Sequence, residues 1–535
     1  MNLSSAQQQV VDCESPTLVV LGGAGTGKTT TAATIARKTL ESASELRRRD
    51  RVLFLSFSRA AATQVLTRTE GVLGRYADQV EVTTFHAFAW RMIARWGSIL
   101  GIEDPVLFSP AEQKLFGKSA GLGYDALIPL ATRLLEVPAI RRHFRQRWSL
   151  VIVDEFQDTN EEQWDLVQRI CESARLVLLG DLNQCIYKNL PNSSGVGPQR
   201  VAAALTRPGA EQIILPDVSH RDPSYIIPAA ANAVRQRDFD SEAVRAAIDA
   251  DMLEIVREQD PAREGERVVE QIQRLQSRGM SVGVFSHHVD STAQLSDELN
   301  EAGVAHEIVG LPDAVDAALR AQYAMLAYCC GETEPDDILR GLAIFVASAE
   351  RGSNAPELAR MIAKLSPRPD TLTRRLQLMG KQLGQAQSLK ESLDIASAAY
   401  DSVGLARGES AWRSATRLLS NLLGPRALSL QSFPDGGISH LRESIAQQHL
   451  SLLMNDEAKA SAPVELMGLY QTKGREVDAA VVVLRHSDWF GKEAEPMPDG
   501  SKLLYVLMTR ARKKTIILAL GRTLPSLVAP LTILR

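Results

Sequence analysis

The sequence predicts an α/β protein in which two parallel β-sheets are covered by helices. Its 535 residues are enough for more than one hydrophobic core. Short β-branched runs alternate with helical patterns in two successive sets, and this alternation favours parallel sheets that are buried on both faces. The first run leads into a glycine-rich loop that ends in lysine, a pattern typical of phosphate-binding P-loops.

The predicted strands fall into two groups, each interrupted by a helical stretch. The first group is Thr17–Leu21, Val52–Leu55, Val80–Thr83, Leu150–Val153 and Leu176–Leu179. The second group is Val282–Phe285, Glu307–Val309, Ala480–Leu484 and Thr515–Leu518. Mostly helical patterns from Trp90 to Arg147, and from about Val309 to Val464, predict one helical insertion in each sheet.

Composition and charge exclude several classes of protein. Hydrophobic residues make up 45% and charged residues 23% of the chain, which excludes a mainly disordered, collagen-like or coiled-coil protein. The net charge of -4 excludes a wholly basic nucleic-acid coat, although a local basic groove stays possible. Five cysteines without C-x-x-C spacing favour buried thiols in a reducing compartment. The chain has no signal peptide or membrane-spanning run, so we expect a soluble cytoplasmic protein without membrane contact.

The loop after the first strand has the form G-x-x-x-x-G-K-S/T. It lies between a predicted strand and a predicted helix, which is the context that a P-loop requires. The glycines let backbone N–H groups surround phosphate oxygens at a helix N-terminus. Lys28 is predicted to reach the β- and γ-phosphates, and the Thr29 hydroxyl to ligate Mg²⁺. The predicted nucleotide-binding residues here are Gly22, Gly23, Ala24, Gly25, Thr26, Gly27, Lys28, Thr29 and Thr30.

Further charged and polar residues are candidates for the hydrolysis of a nucleotide. Asp154 and Glu155 follow a predicted strand, where one carboxylate can hold Mg²⁺ and the other can take a proton from water. Two acids alone are also typical of a helix cap, but the P-loop in the same chain favours the catalytic interpretation. Gln184 is a candidate γ-phosphate sensor, and Arg221 and Arg510 are candidate arginine fingers.

These residues stand in an ordered set of motifs that resembles the UvrD/Rep/PcrA-type superfamily 1A DNA helicases. The similar segments, from the Q motif through motifs I, Ia, Ib, II, III, IV, V and VI, are Leu3–Gln7, Gly22–Thr29, Ser56–Ala61, Thr84–His86, Asp154–Asn160, Gly180–Tyr187, Ser219–Asp222, Leu469–Glu476 and Tyr505–Ala511. The strings D-E-x-Q-D-T-N and Y-V-x-x-T-R-A are specific to this group. The resemblance covers most of the chain.

The resemblance implies two RecA-like P-loop NTPase domains that bind ATP and Mg²⁺ between them. Arg221 and Arg510 of the second domain would then face Lys28 of the first. Gln7 would read the adenine edge, and His220 and Glu476 would complete the nucleotide site. Thr29 and Asp154 would hold the metal. The residues that the resemblance implies as catalytic are Lys28, Asp154, Glu155, Gln184, Arg221 and Arg510.

The resemblance also implies translocation along single-stranded DNA in the 3'→5' direction. Aromatic side chains would stack on bases, and hydroxyl or backbone groups would contact phosphates. The implied DNA-binding residues are Phe57, Thr84, His86, Tyr187 and Tyr470. The expected substrate is therefore single-stranded DNA, including that of a 3'-tailed duplex.

Several positions depart from the family pattern. His220 replaces the motif IV tyrosine that stacks on adenine, and Tyr470 replaces the motif V histidine. Cys185 replaces a motif III serine, and Lys188–Pro191 replaces an aromatic segment that stacks on a base. No departure affects the six implied catalytic residues, so we expect intact ATP hydrolysis and an altered DNA path.

The predicted domain organisation places each insertion within a discontinuous domain. Residues 1–89 and 148–215 form the first RecA-like domain, and residues 90–147 form its insertion. Residues 216–340 and 461–535 form the second RecA-like domain, and residues 341–460 form its insertion. Both insertions are short for the family. The basic stretch Arg141–Arg147 is a candidate phosphate contact or simply a solvated helix end.

Two functions remain open at this point. The first is an ATP-dependent 3'→5' DNA helicase or translocase in repair, replication or recombination. The second is a DNA-sensing ATPase subunit that controls a partner, such as a nuclease in anti-phage defence, with little strand separation. The chain ends at Arg535, soon after Arg510, so we expect any nuclease to be a separate protein.

Overall fold

A computed structural model of the chain describes most of its residues. They are 3–45, 51–57, 71–186, 193–287, 289–309, 313–350, 352, 354–434, 436–442, 445, 463–472, 475–485, 488, 498–523 and 528. Within this part of the chain, no helix combines the length and the apolar character needed to cross a membrane.

The first sheet has six parallel strands in the order β3-β2-β6-β7-β1-β8. In chain order the strands are β1 (Thr17–Leu21), β2 (Val52–Ser56), β3 (Val80–Thr84), β6 (Leu150–Val153), β7 (Arg175–Gly180) and β8 (Ala210–Ile214). Every residue of β2 and β6 is buried, because helices cover both faces. The P-loop strand β1 lies between β7 and β8.

The second sheet also has six parallel strands, in the order β11-β12-β10-β13-β14-β9. They are β9 (Leu253–Glu258), β10 (Val282–Ser286), β11 (Glu307–Ile308), β12 (Val464–Gly468), β13 (Val477–Arg485) and β14 (Ala511–Leu520). The two parallel sheets confirm the predicted fold class. The sequence patterns miss three of the twelve strands in these sheets, namely β8, β9 and β12.

The helices surround the sheets and fill both insertions. Those before the second insertion are α1 (Ser5–Asp12), α2 (Lys28–Glu45), α3 (Phe85–Trp96), α4 (Pro110–Phe116), α5 (Leu127–Leu134), α6 (Pro138–Arg145), α7 (Glu161–Ile170), α8 (Pro198–Leu205), α9 (Ile226–Arg235), α10 (Glu242–Asp249), α11 (Glu264–Gln276) and α12 (Val289–Glu301). The remainder are α13 (Asp313–Cys329), α14 (Pro335–Ala349), α15 (Glu357–Ile362), α16 (Asp370–Gln385), α17 (Leu389–Val403), α18 (Glu409–Leu428) and α19 (Pro498–Met508). A two-stranded sheet, β4 (Leu107–Phe108) with β5 (Leu122–Gly123), lies in the first insertion.

Hydrophobic side chains form separate cores around the sheets and within the helical region. Along β1, Leu18 and Val20 pack on one face of the sheet and Val19 packs on the other. This alternation follows from the period of two residues in a strand. The second sheet likewise has a core on each face. The fifth core consists mainly of helical residues from Val315 to Ile445.

Two of the predicted domain boundaries fall inside helices. The boundary at residues 89 and 90 cuts α3, and the boundary at residues 340 and 341 cuts α14. The helical core of the second insertion already includes Val315 in α13. That core therefore begins before the predicted edge of the second insertion.

A helix of the first insertion packs into the core of the second insertion. Ala111 and Leu115, both on α4, are buried among residues of α13 and α14. Glu112 lies between them, accepts hydrogen bonds from Ser109 at the helix cap, and is 3.6 Å from Arg320 on α13. Apolar burial and a partly buried ion pair thus join the two insertions.

The substitution Leu115→Ala tests how much this joint contributes to stability. Removing a buried leucine side chain leaves a cavity and costs about 2–5 kcal/mol. We expect a lower midpoint of denaturant unfolding and faster hydrogen exchange in α4. Leu378→Ala is the matched control, because Leu378 is 56% exposed on α16. Equal losses in both variants would contradict the packing role of Leu115.

Candidate active site

The P-loop lies at the carboxyl end of β1 and is closely covered by other segments. Gly25 and Gly27 have φ angles of +79° and +83°, a backbone conformation that favours glycine. A Cβ atom on Gly25 would lie 2.4 Å from Ser219 Oγ, and one on Gly27 would lie 2.5 Å from Gln7 Nε2. Backbone conformation therefore favours glycine at both positions, and a larger residue would also displace the end of the Ser219 or Gln7 side chain.

Lys28 begins α2, and its ammonium group lies against the loop. Nζ donates hydrogen bonds to the carbonyl oxygens of Gly22 at 2.7 Å and Gly23 at 2.9 Å. Gly22 in turn donates its N–H to Gly180 O at the end of β7, at 3.1 Å. Hydrogen bonds thus connect the Lys28 ammonium group, the P-loop and the carboxyl end of β7.

Gln7 links the N-terminal helix to the P-loop. Its amide oxygen accepts the Ser4 N–H at 2.9 Å, while the Ser4 hydroxyl accepts the Gln7 N–H, forming a capping box. Gln7 Nε2 donates to Thr26 O at 3.1 Å and lies 3.4 Å from His220 Nε2. His220 donates its backbone N–H to Gly25 O at 2.8 Å. The two predicted nucleotide-binding side chains, Gln7 and His220, are neighbours over the P-loop.

The two acids that follow β6 differ in environment. Asp154 is buried, and its Oδ1 accepts the Glu155 N–H at 3.0 Å. Glu155 has a φ of +50°, which for a residue with a side chain typically costs about 1–3 kcal/mol and is concentrated at functional sites. Gln157 Nε2 donates to the Glu155 carboxylate at 2.6 Å, and Gln157 Oε1 accepts the Asp181 N–H at 2.9 Å. Gln157 therefore fixes the carboxylate of Glu155 relative to the end of β7.

Gln184 and Arg510 connect the two sheets through a buried hydrogen bond. Gln184 Nε2 donates to Asp181 Oδ2 at 2.8 Å, and Gln184 Oε1 accepts from a terminal guanidinium nitrogen of Arg510 at 2.8 Å. Arg510 Nε donates to Val506 O on α19 at 3.0 Å. Residues that are distant in sequence are thereby placed beside the P-loop.

Burial and charge have opposing effects on these groups. Desolvation lowers the pKa of Arg510, which is 3% exposed, while Glu155 and Glu476 act to raise it. Desolvation raises the pKa of Asp181, and the positive charge of Lys28 opposes that effect. Basic and acidic side chains are therefore buried together in this site, and the charge of each partly offsets the effect of burial on the pKa of the other.

Arg221 is paired with Glu476, a residue that the resemblance implies for nucleotide binding. Its guanidinium Nε donates to Glu476 Oε1 at 2.6 Å, and a second nitrogen donates to Thr509 O. The two side chains are 12% and 7% exposed. Arg512 also pairs with Glu476, at 3.1 Å. The two predicted arginine fingers thus have different partners, Gln184 for Arg510 and Glu476 for Arg221.

The oxygen donors at this site suit a magnesium ion. Thr29 offers a hydroxyl and Asp154 a carboxylate, which are the ligand types that Mg²⁺ prefers. Within the described ranges, no group of three or more His, Cys, Asp or Glu side chains could hold a metal without other ligands. Such an ion would therefore share its ligands with nucleotide phosphates, which is the usual arrangement for Mg²⁺.

A groove of about 400 Å³ lies between the first sheet and the first insertion. Phe57 and His86 line this groove, as does Tyr124 from the first insertion. The rings of His86 and Tyr124 are stacked, with centroids 3.7 Å apart and planes inclined by 18°. Thr84 is 2% exposed, and its hydroxyl accepts the Ala87 N–H as the N-cap of α3. The groove thus offers aromatic rings, while the Thr84 hydroxyl oxygen accepts a hydrogen bond within the fold.

His86 is a neutral ring rather than a cation. Desolvation lowers its pKa to about 3 from the ordinary value of 6.5. At neutral pH it therefore offers stacking rather than charge. Asp125 and Glu162 also line the groove, so its polar edge is acidic.

Two of the predicted DNA-binding side chains cannot be placed. Tyr187 and the side chain of Tyr470 lie outside the described residues, as does the segment Lys188–Pro191. Conversely, the sequence patterns did not single out Tyr124, Gln157 or Tyr505 as individual site residues. Gln157 and Tyr505 stand inside motif strings, whereas Tyr124 carries no sequence signal.

Comparisons with known proteins match this description. Residues 7–189 match a family model described as an AAA domain. The chain is 24% identical to the ATP-dependent DNA helicase PcrA of Bacillus subtilis (strain 168) over 434 residues, 67% of this chain and 57% of that protein. It is 23% identical to PcrA of Staphylococcus aureus (strain NCTC 8325 / PS 47) over 253 residues, which are 35% of this chain and 34% of that protein.

A solved structure, the Pif1 helicase from Candida albicans, overlays with a TM-score of 0.31 at 14% identity, covering 51% of this chain and 55% of that chain. This chain spans little more than half of the length of the Bacillus relative. The ordered motifs agree with the sequence matches to PcrA. In its ordered motifs and in its sequence, this chain is similar to the UvrD/PcrA-like superfamily 1 helicases.

Proposed function

We propose that this protein hydrolyses ATP at the junction of its two sheets. The buried hydrogen bond between Gln184 and Arg510 carries the proposal, because it joins a residue beside the P-loop to the second sheet. Phosphates bound by the loop would meet Lys28 from one side and Arg510 from the other. Mg²⁺, held by Thr29 and Asp154 with the phosphates, would neutralise charge on them.

In this proposal each residue of the site has a distinct role. Glu155 takes a proton from the attacking water, and Gln157 keeps its carboxylate in position. Gln184 and Arg510 contact the transferred phosphoryl group, and Arg221 stabilises its charge after exchanging Glu476 for phosphate. Gln7 and His220 contact the base. The proposal includes a cycle in which ATP draws the two sheets together and hydrolysis and release let them separate.

The substitutions Lys28→Ala and Glu155→Gln test this assignment. Loss of a general base typically costs about 10²- to 10⁴-fold in rate, so Glu155→Gln should bind ATP but hydrolyse it at least about 100-fold more slowly. Lys28→Ala should also weaken binding of ATP. Glu136→Gln is the control, since Glu136 is 62% exposed on the surface. Normal turnover in Glu155→Gln would show that the base has been assigned wrongly.

We further propose that single-stranded DNA is the substrate along which the protein moves, in the 3'→5' direction. The aromatic groove of Phe57, His86 and Tyr124 supports this, because bases of any sequence stack on aromatic rings. The relatives are named ATP-dependent DNA helicases. Strand separation in repair, replication or recombination would follow from such movement.

Polarity and unwinding are tested with tailed duplexes. Single-stranded DNA should stimulate ATP hydrolysis, and a duplex with a 3' tail should be unwound faster than the same duplex with a 5' tail. Preference for the 5' tail would contradict the proposed direction. Stimulated hydrolysis without strand separation would favour the alternative, a DNA-sensing ATPase that controls a partner such as a separate nuclease. Hydrolysis indifferent to DNA would contradict both proposals.

The substitution Tyr124→Ala tests the groove separately from the ATP site. Base stacking on an aromatic ring is worth about 1–3 kcal/mol, so affinity for single-stranded DNA should fall by roughly 10-fold or more. ATP hydrolysis without DNA should be unchanged. Tyr124→Phe keeps the ring and should retain wild-type affinity. If Tyr124→Ala binds DNA normally, the groove is not the base-binding surface.

We also propose that the chain divides into two RecA-like domains, each with its own helical insertion. The first domain consists of residues 1–89 and 148–215, and the second consists of residues 216–340 and 461–535. The helical core that includes Val315 favours an earlier start for the second insertion, at α13. A cytoplasmic location is part of the same proposal. Limited proteolysis would test the division, because cleavage is expected at exposed linkers between packed units.

A further inference from the structure

Tyr505 links the second sheet directly to the backbone of the P-loop. The residue lies on α19, the helix that leads to Arg510. Its hydroxyl oxygen accepts the backbone N–H of Ala24 at 3.3 Å. A Cβ atom on Gly23 would lie 3.7 Å from the same hydroxyl. The phenol oxygen is therefore in direct contact with the phosphate-binding loop.

The hydroxyl of Tyr505 retains its proton at this position. The residue is 2% exposed, and burial raises the pKa of the phenol, with the charges of Asp181 and Asp217 adding to the effect. The hydroxyl therefore has one O–H donor and accepts the Ala24 N–H with a lone pair. In the part of the chain that the structure describes, no group accepts the phenolic proton. A buried donor without an acceptor costs about 1–3 kcal/mol, so such a group favours a ligand that can accept it.

The backbone N–H groups of a P-loop point at phosphate oxygens. Because Tyr505 binds one of these N–H groups, its hydroxyl lies within hydrogen-bonding reach of the space where phosphate would bind. Arg510 follows the same helix and donates to Gln184, and both residues are proposed contacts of the terminal phosphate. The available donor is therefore on the side of the terminal phosphate rather than on the side of the base, where Gln7 and His220 lie.

We propose that the Tyr505 hydroxyl donates a hydrogen bond to a terminal phosphate oxygen of ATP. The inference rests on the proposed ATPase function and adds a phosphate-contacting residue to it. A nucleoside diphosphate lacks the acceptor, so the contact favours ATP over ADP. It also ties the position of α19, and with it Arg510, to the presence of the terminal phosphate.

The substitution Tyr505→Phe tests the contact, because it keeps the buried ring and removes the hydroxyl. Equilibrium binding of ADP and of a non-hydrolysable ATP analogue is measured without DNA. We expect affinity for the analogue to fall about tenfold, the size of one hydrogen bond to a charged group, while affinity for ADP is unchanged. Tyr400→Phe is the matched control, since Tyr400 is 9% exposed in the helical core and far from the P-loop in the fold. Both affinities should be unchanged in that variant.

Other outcomes would overturn the inference. Equal weakening of both nucleotides, or no change in either, would show that the hydroxyl has only a structural role. Loss of the thermal unfolding transition in Tyr505→Phe but not in Tyr400→Phe would lead to the same conclusion. If the wild-type protein binds neither nucleotide, the proposed function itself fails, and the inference fails with it.

Discussion

The buried hydrogen bond between Gln184 and Arg510 is the interaction on which the arrangement of the site depends. It forms where two separate sheets meet, and both partners are almost fully buried. A hydrogen bond to a charged group typically contributes about 1.5–3 kcal/mol. The two sheets are therefore held in a defined relation by groups that would also serve phosphate chemistry. The same contacts that stabilise the fold would be exchanged when a nucleotide enters.

Two other cations of the site also have protein partners that a phosphate group would replace. Lys28 binds two backbone carbonyl oxygens, and Arg221 binds the carboxylate of Glu476. Each of these cations would have to give up a neutral or acidic partner to bind phosphate. The charge of Arg221 is thus compensated by a carboxylate, and the ammonium group of Lys28 is bound by backbone oxygens. A ligand must supply interactions at least as strong, and a polyphosphate with its metal can do so.

Much of this structure could be predicted from the sequence, and the exceptions have physical reasons. Strands buried on both faces, such as β2 and β6, appear as continuous apolar runs and are predicted correctly. The edge strand β8 pairs only with β1, and its residues are partly exposed, so its mixed sequence carries little signal. The P-loop and the motif strings indicate which residues are near the nucleotide. They do not indicate how those residues are paired, because the Arg221–Glu476 pair depends on the packing of distant segments.

The aromatic groove shows the same limit of sequence reasoning. Phe57 and His86 stand in recognisable motifs, whereas Tyr124 enters the groove only because the first insertion folds back over the sheet. The hydroxyl oxygen of Thr84, a predicted phosphate contact, accepts the Ala87 N–H at the helix cap, and its O–H remains a donor. Which hydrogen bonds of such a group are made locally is visible only in three dimensions.

The order of strands in the second sheet has a consequence for how the chain folds. In the described sheet, every pair of neighbouring strands includes β12, β13 or β14, and none joins two of β9, β10 and β11. While a ribosome is still making the second insertion, those three early strands have no partners from their own sheet. The first sheet, by contrast, can be completed once β8 has been made. Synthesis therefore leaves a long interval in which unpaired strand edges need protection from aggregation, as by a chaperone.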